Sequence, residues 1–392
     1  VEGGNRGSAL WDWERRKGWE RSGEACGSWE RFSDDLRCLK ALNLNAYRFS
    51  VEWSRVEPEP GRFDRAALDR YAGWARRLQE EGIRPMVCFH HFSEPAWLLS
   101  RYPDGWLGDG PAERLTSFVA RAAEALAPFV SDWLVFNEAN VFVLHAYGHG
   151  YFPPGKRLLL GRSGRLREVT ARLADGHRSA AKVLKSLAPG SRVGVAHHLG
   201  DLLPARPGDE AAVEAWDRFF HLDFLDAIKD SLDFLGVNYY TRAFVNRLPL
   251  APFGAFPGYG EVEKALGPAL FRLLGGRRDP GPRTAMNWEV APEGLERVLL
   301  KLWKRYGLPL LITENGLAPA SGLDRTSFLK AHLAAAHRAI QSGVRLEGYL
   351  HWSLLDNYEW GSYAPRFGLF DRERRPSEGS EFYAAAARDN GF

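Results

Sequence analysis

Short apolar runs alternate along this chain with longer stretches whose apolar positions recur every three or four residues. Residues 45–51 (NAYRFSV) are rich in strand formers. In residues 64–81, Leu68, Tyr71, Ala72, Ala75 and Leu78 fall at helical spacing, and Gly82 closes the predicted helix as a C-terminal glycine does. Residues 84–91 (RPMVCFHH) predict a second strand and 112–130 a second long helix. Further strands are predicted at 133–137, 192–197, 234–238, 309–313 and 346–351.

Strands separated by helices imply a parallel sheet with crossover connections, and at 392 residues a closed α/β barrel is the natural candidate. One barrel domain spanning residues 1–392 is the expected organisation. A doubly wound open sheet fits the same alternation. No Gly-rich phosphate loop follows an early strand, which argues against a nucleotide-binding version. Residues 157–167 and 248–282 break the rhythm and read as excursions over one end of the scaffold, and 372–375 as a solvated turn.

Composition narrows the function classes. With 52 Lys and Arg against 49 Asp and Glu, the interspersed charges offer no footprint for nucleic acid. No apolar run is long enough to cross a bilayer, so no membrane partner is expected. Cys26, Cys38 and Cys88 fit no closed disulfide framework and no metal motif, and the expected setting is cytoplasmic. The chain opens on Val1 rather than methionine, which leaves room for an upstream segment. Fourteen Trp, 13 Tyr and 23 Phe suit stacking on sugar rings, although large cores also use aromatics.

Polar residues gather where the strand candidates end: Arg48, His90–His91, Asn137–Glu138, Asn238–Tyr240, Thr313–Glu314–Asn315 and Trp352. In a parallel barrel those ends share one face, where the active site sits. Glu138 and Glu314 each follow an apolar strand directly. Either alone could be a strand-end ion pair. Together they form the two-carboxyl arrangement that glycosidic cleavage needs, one protonated to serve the departing oxygen and one ionised. Arg48 and Tyr240 are the candidate donors that keep Glu314 ionised, while Glu138 is expected to hold its proton. The pairs His197–His198 and His145/His149 lack a matching carboxylate or cysteine set, so neither a metal nor a cofactor is expected.

At this point a resemblance becomes specific. YRFSVEWSRVEP, FHHFSEPAWL, FNEAN, FPPG, GVNYYTR, TAMNWEVAPEGL, ITENGLA and WSLLDNYEW…RFGLF follow one another as the signature segments of glycoside hydrolase family 1, the β-glucosidase and β-galactosidase family. The resemblance covers essentially the whole chain. It implies a (β/α)8 barrel, no metal or other cofactor, and a small-molecule β-glycoside or oligosaccharide as substrate. It implies Glu138 as acid/base and Glu314 as nucleophile. It implies sugar contacts from His91, Asn137, Trp352, Glu359 and Trp360, with Arg48, Asn238 and Tyr240 around the nucleophile. Alternatives for Arg48 and Tyr240 are a barrel-layer ion pair and a core aromatic. Glu359 is expected to accept hydroxyl hydrogen bonds as an ionised carboxylate and to repel a phosphosugar.

Two departures stand out. The family's Asn-Glu-Pro is here Asn137-Glu138-Ala139. Family members also begin with a strand ending in glutamine, just before the segment that Val1-Glu2-Gly3-Gly4 resembles, so the first barrel strand is absent from the readable chain. The expected activity is exo-acting β-glycoside hydrolysis with retention on glucosides, galactosides or fucosides. A transglycosidase using the same carboxyl pair and a non-catalytic sugar-binding barrel are the alternatives.

Overall fold

The computed structural model describes residues 3–391; Val1 and Glu2, which open the segment just discussed, lie outside the described residues. The described residues form ten strands: β1 (Ala46–Ser50), β2 (Arg84–His90), β3 (Asp132–Asn137), β4 (Arg192–His198), β5 (Asp201–Pro204), β6 (Leu235–Asn238), β7 (Arg242–Arg247), β8 (Ala255–Pro257), β9 (Leu310–Asn315) and β10 (Leu346–His351). Seven of them make one parallel sheet in the order β1-β2-β3-β4-β6-β9-β10. These are the seven predicted strands, each within one or two residues at either end.

The sheet curls into a nearly closed α/β barrel. Met86, Cys88, Leu134, Ala196, Phe234 and Leu311 fill its interior. The alternate side chains, among them Val87, Phe89, Trp133, Val135, Val193 and Val195, pack outward in the main hydrophobic core. Both faces of each strand are therefore apolar, which is why the strands read as continuous runs rather than as alternation. β1 and β10 are the sheet's edges, and among the described residues no ladder joins them across the seam. Burial records the seam: every residue of β3 and β9 is buried, whereas β10 is half-buried throughout.

The helix Arg65–Glu80 starts where Asp64 caps the Ala67 N–H at 3.0 Å. It turns Leu68, Tyr71, Trp74, Ala75 and Leu78 inward, while predicted Ala72 lies at the half-buried margin. The helix expected at 112–130 spans Pro111–Leu126. It stops early because Pro128 has no N–H to continue the ladder.

Three expectations need correction. Only the first part of 157–167 is irregular: Arg165, Leu166 and Arg167 belong to the helix Gly164–Leu187, with Leu166 opening its buried stripe. The excursion at 248–282 is partly ordered. Its β8 pairs with β7, and β7 with β5, to make a separate three-stranded sheet, followed by helices Gly260–Leu266 and Pro268–Leu273. Finally, 372–375 is not a freely solvated turn. Arg374 adopts φ 67° and donates from Nε and Nη2 to Oδ1 of Asp35, at 3.0 and 2.6 Å. The two side chains are 6% and 0% exposed.

That pair ties the C-terminal region to the helix Ser28–Ala41. Removing one partner of a buried ion pair leaves a charge without compensation. Arg374→Ala should therefore cost roughly 3–5 kcal/mol in denaturant unfolding. Burial already raises the Asp35 pKa, against the pull of Ser28 and Arg374. A raised carboxyl is least costly when protonated, so the loss should shrink toward acid pH and grow as pH rises. A loss independent of pH would contradict this account.

Candidate active site

Both candidate carboxylates sit just after an irregularity in the barrel ladder. On β3, Leu134 points inward, and Val135 and Phe136 both join the outer core. The β3–β4 register slips between Leu134 and Asn137, which brings Asn137 back to the inner side. The β6–β9 register slips in the same way between Val237/Ile312 and Asn238/Glu314. Glu138 then takes a left-handed conformation, φ 48° and ψ 55°, rare for a residue with a β-carbon. Its N–H is held by the Ala196 carbonyl at 2.7 Å.

A buried hydrogen-bond network joins the strand ends. Arg48 donates from Nη1 to Asn137 Oδ1 at 3.0 Å and from Nη2 to Glu314 Oε1. Tyr240 donates its hydroxyl proton to the other Glu314 oxygen, at 2.7 Å. Asn238 Nδ2 lies 2.9 Å from Glu138 Oε1 and 3.1 Å from Asn137 Oδ1. Thr313 orients Asn238 by donating to its Oδ1 at 2.6 Å. Each carboxyl thus meets a different environment. Glu314 receives a guanidinium and a phenol; Glu138 receives one amide.

The electrostatics follow. Burial, and next the charge of Glu314, push Glu138 up to about 8; the Asn238 hydrogen bond pulls the other way. Tyr240 is raised well above its ordinary value by burial and by Glu314, so it remains a hydrogen-bond donor. His91 is lowered well below its ordinary value, first by burial and then by Arg48, and is a neutral imidazole. Its Nδ1 lies 3.0 Å from Ser50 Oγ.

Of the ten residues given roles by the family resemblance, all except Asn238 line one cavity of about 410 Å³ at the C-terminal strand ends; Asn238 is wholly buried behind Glu138. Trp352, after β10, stands 5.8 Å from His91 between ring centres and donates from its indole nitrogen to Glu359 at 3.0 Å. Trp360 stacks on Phe152 with centres 5.5 Å apart. For Glu359 the expectation of a fixed carboxylate is revised. Burial pushes it up to about 8, so near neutrality it can donate a hydrogen bond as well as accept one. The neighbouring His90 points away from the cavity, to Glu94 and Trp106.

Several cavity residues escaped the sequence reading. His198 ends β4 and brings Nδ1 to 3.8 Å from Glu138 Oε1; the strand-end rule that selected the other clusters would have found it. Trp288, Tyr259 and Glu261 enter from beyond β7 and carried no strand-end signal. His197 is buried, facing the His221 carbonyl at 3.0 Å, and His145 packs beside His149 on the cavity wall. Among the described residues, no group of three His, Cys, Asp or Glu could hold a metal ion, and no helix is long and apolar enough to cross a membrane.

Comparisons with known proteins point to one family. The profile of glycosyl hydrolase family 1 matches residues 1–228 and 220–392. The β-galactosidase of Sulfolobus acidocaldarius is 31% identical over 407 residues, covering 88% of this chain and 78% of its own. The bifunctional β-D-glucosidase/β-D-fucosidase of Bifidobacterium breve is 30% identical over 421 residues, covering 94% and 89%. The structure of the β-glycosidase from Pyrococcus horikoshii superposes with a TM-score of 0.88 at 33% identity, covering 99% of this chain and 91% of that one. With profile, sequence and fold in agreement, this chain belongs to glycosyl hydrolase family 1 and is a glycoside hydrolase.

Proposed function

We propose that the chain is a single-domain, exo-acting β-glycosidase that hydrolyses β-linked glucosides, galactosides or fucosides with retention. The observation that carries this reading is the asymmetry of the two buried carboxyls. Glu314, oriented by Arg48 and Tyr240, attacks the anomeric carbon, while Glu138 gives its proton to the departing oxygen. The bond to the leaving group breaks as the Glu314–sugar ester forms. Glu138, now ionised, takes a proton from water, whose oxygen attacks the same carbon and releases Glu314. Asn137, His91 and Trp352 face the ring at the cleaved bond, with Glu359 and Trp360 around its outer hydroxyls. The range of sugars rests on the activities named for the relatives, β-galactosidase and β-D-glucosidase/β-D-fucosidase.

Release of nitrophenol from a panel of aryl β-glycosides tests the activity and ranks the sugars. Turnover by the parent and its loss by orders of magnitude in Glu314→Ala is the expected result. No turnover on any member, from protein shown to be folded, would instead favour a sugar-binding barrel. Adding an alcohol to the same assay and measuring glycoside products separates hydrolysis from transglycosylation.

The proton on Glu138 sets a second test. The acid must be protonated in the free enzyme, so kcat/KM should fall as pH rises through about 8. Glu359 is raised to a similar value, so the two need separating. With an activated nitrophenol leaving group, Glu138→Ala should lose the alkaline limb while Glu359→Gln keeps it. Persistence of the limb in Glu138→Ala would remove the assignment.

A further inference from the structure

Beyond Glu138 and Glu314 the cavity continues away from His91, Trp352 and Trp360 along a second wall. That wall runs from His198 at the end of β4 through Phe220 and Tyr259 to Trp288. Ring centres are 5.8 Å apart between His198 and Phe220 and 6.4 Å apart between Phe220 and Tyr259. Trp288 stands 5.0 Å from Tyr240, the residue that donates to Glu314, so the wall ends beside the reacting carboxyl. Val141 and Val262 add to its apolar lining. On the glycosidase reading, on which this inference rests, that side receives the leaving group.

One acidic group interrupts the wall. Glu261, at the start of the helix Gly260–Leu266, lines the cavity and accepts the Trp288 indole N–H on Oε1. Among the described residues it forms no ion pair; burial raises its pKa against the pull of the Trp288 hydrogen bond and the charges of Arg278 and Lys264, so a cation seated beside it draws it to the carboxylate form. Arg48 is the only lysine or arginine in the lining among the described residues, and Glu314 already holds its charge. A carboxylate at the edge of an indole, in a cavity so short of positive charge, complements a cation. The face of Trp288 favours the same charge.

We propose that Glu261 is a specificity determinant for leaving groups that carry an ammonium on an aromatic or apolar body. The body lies against Phe220, Tyr259 and Trp288, and the ammonium pairs with the Glu261 carboxylate. The carboxylate has a second task, holding Trp288, which a glutamine can retain through its amide oxygen while losing the charge.

Binding of two non-hydrolysable S-linked β-glucosides, phenyl and 4-(aminomethyl)phenyl, measured by calorimetry at pH 7.5, tests this without requiring turnover. The parent should bind the amine-bearing compound about 10-fold more tightly, a difference of about 1.4 kcal/mol. In Glu261→Gln the ratio should fall close to one, and in the parent it should narrow with added salt. A parent ratio near one overturns the proposal, as does a ratio that survives in a folded Glu261→Gln protein. The parent's ratio is informative even if the variant fails to fold. A protein that binds both compounds with the expected ratio yet turns over no aryl glycoside would contradict the hydrolase reading and leave Glu261's role standing.

Discussion

The buried guanidinium of Arg48 is the interaction around which the cavity is organised. It projects from β1, an edge strand, and reaches Glu314 on β9 and Asn137 on β3. With Arg48 and Glu314 only 6% and 5% exposed, neither charge has bulk water as a substitute partner. Desolvation of such a pair costs several kcal/mol per ion, offset only where the remaining donors and acceptors are also satisfied. Asn137, Asn238, Thr313 and Tyr240 supply that satisfaction. The network that gives the two carboxyls different surroundings therefore also makes their burial tolerable, and it links one edge of the sheet to strands across the barrel mouth.

The strand ends depart from regular geometry at the same places. Register slips precede both Glu138 and Glu314, and Glu138 adopts a backbone conformation that disfavours side chains. Regular alternation would send Asn137 toward the helices, because Phe136 would take the inward position. The irregularity is what converts two apolar strands into carriers of polar groups at their last residues.

Much of this was legible in the sequence, for identifiable reasons. Strands buried on both faces leave uninterrupted apolar runs, and residues ending such runs must converge in a barrel, so Arg48, Asn137, Glu138, Tyr240 and Glu314 could be picked out together. The less legible parts depend on partners distant in the chain. β5 and β8 are too short to leave a periodic signal. Arg374 sits in a charged run that looks solvated until Asp35, from a helix far upstream, covers it. The protonation of Glu359 depends on how deeply it is enclosed, which no local pattern encodes. The pair His197–His198 lacks the partners of a metal site, and nothing local in the sequence shows that His198 alone reaches Glu138.

The three-stranded sheet beside the barrel has a consequence for how such a protein can change. Its strands β5, β7 and β8 lie outside the barrel ladder, and the chain leaving β8 delivers Tyr259 and Glu261 to the cavity. The groups around Glu314 are carried instead by barrel strands and the residues directly after them. Insertions, deletions or exchanges between β8 and Trp288 can reshape one wall while the parallel sheet and its ion pair stay intact. Such an arrangement is modular: one wall of the cavity can be exchanged for another while the strands that carry Arg48 and Glu314 keep their places.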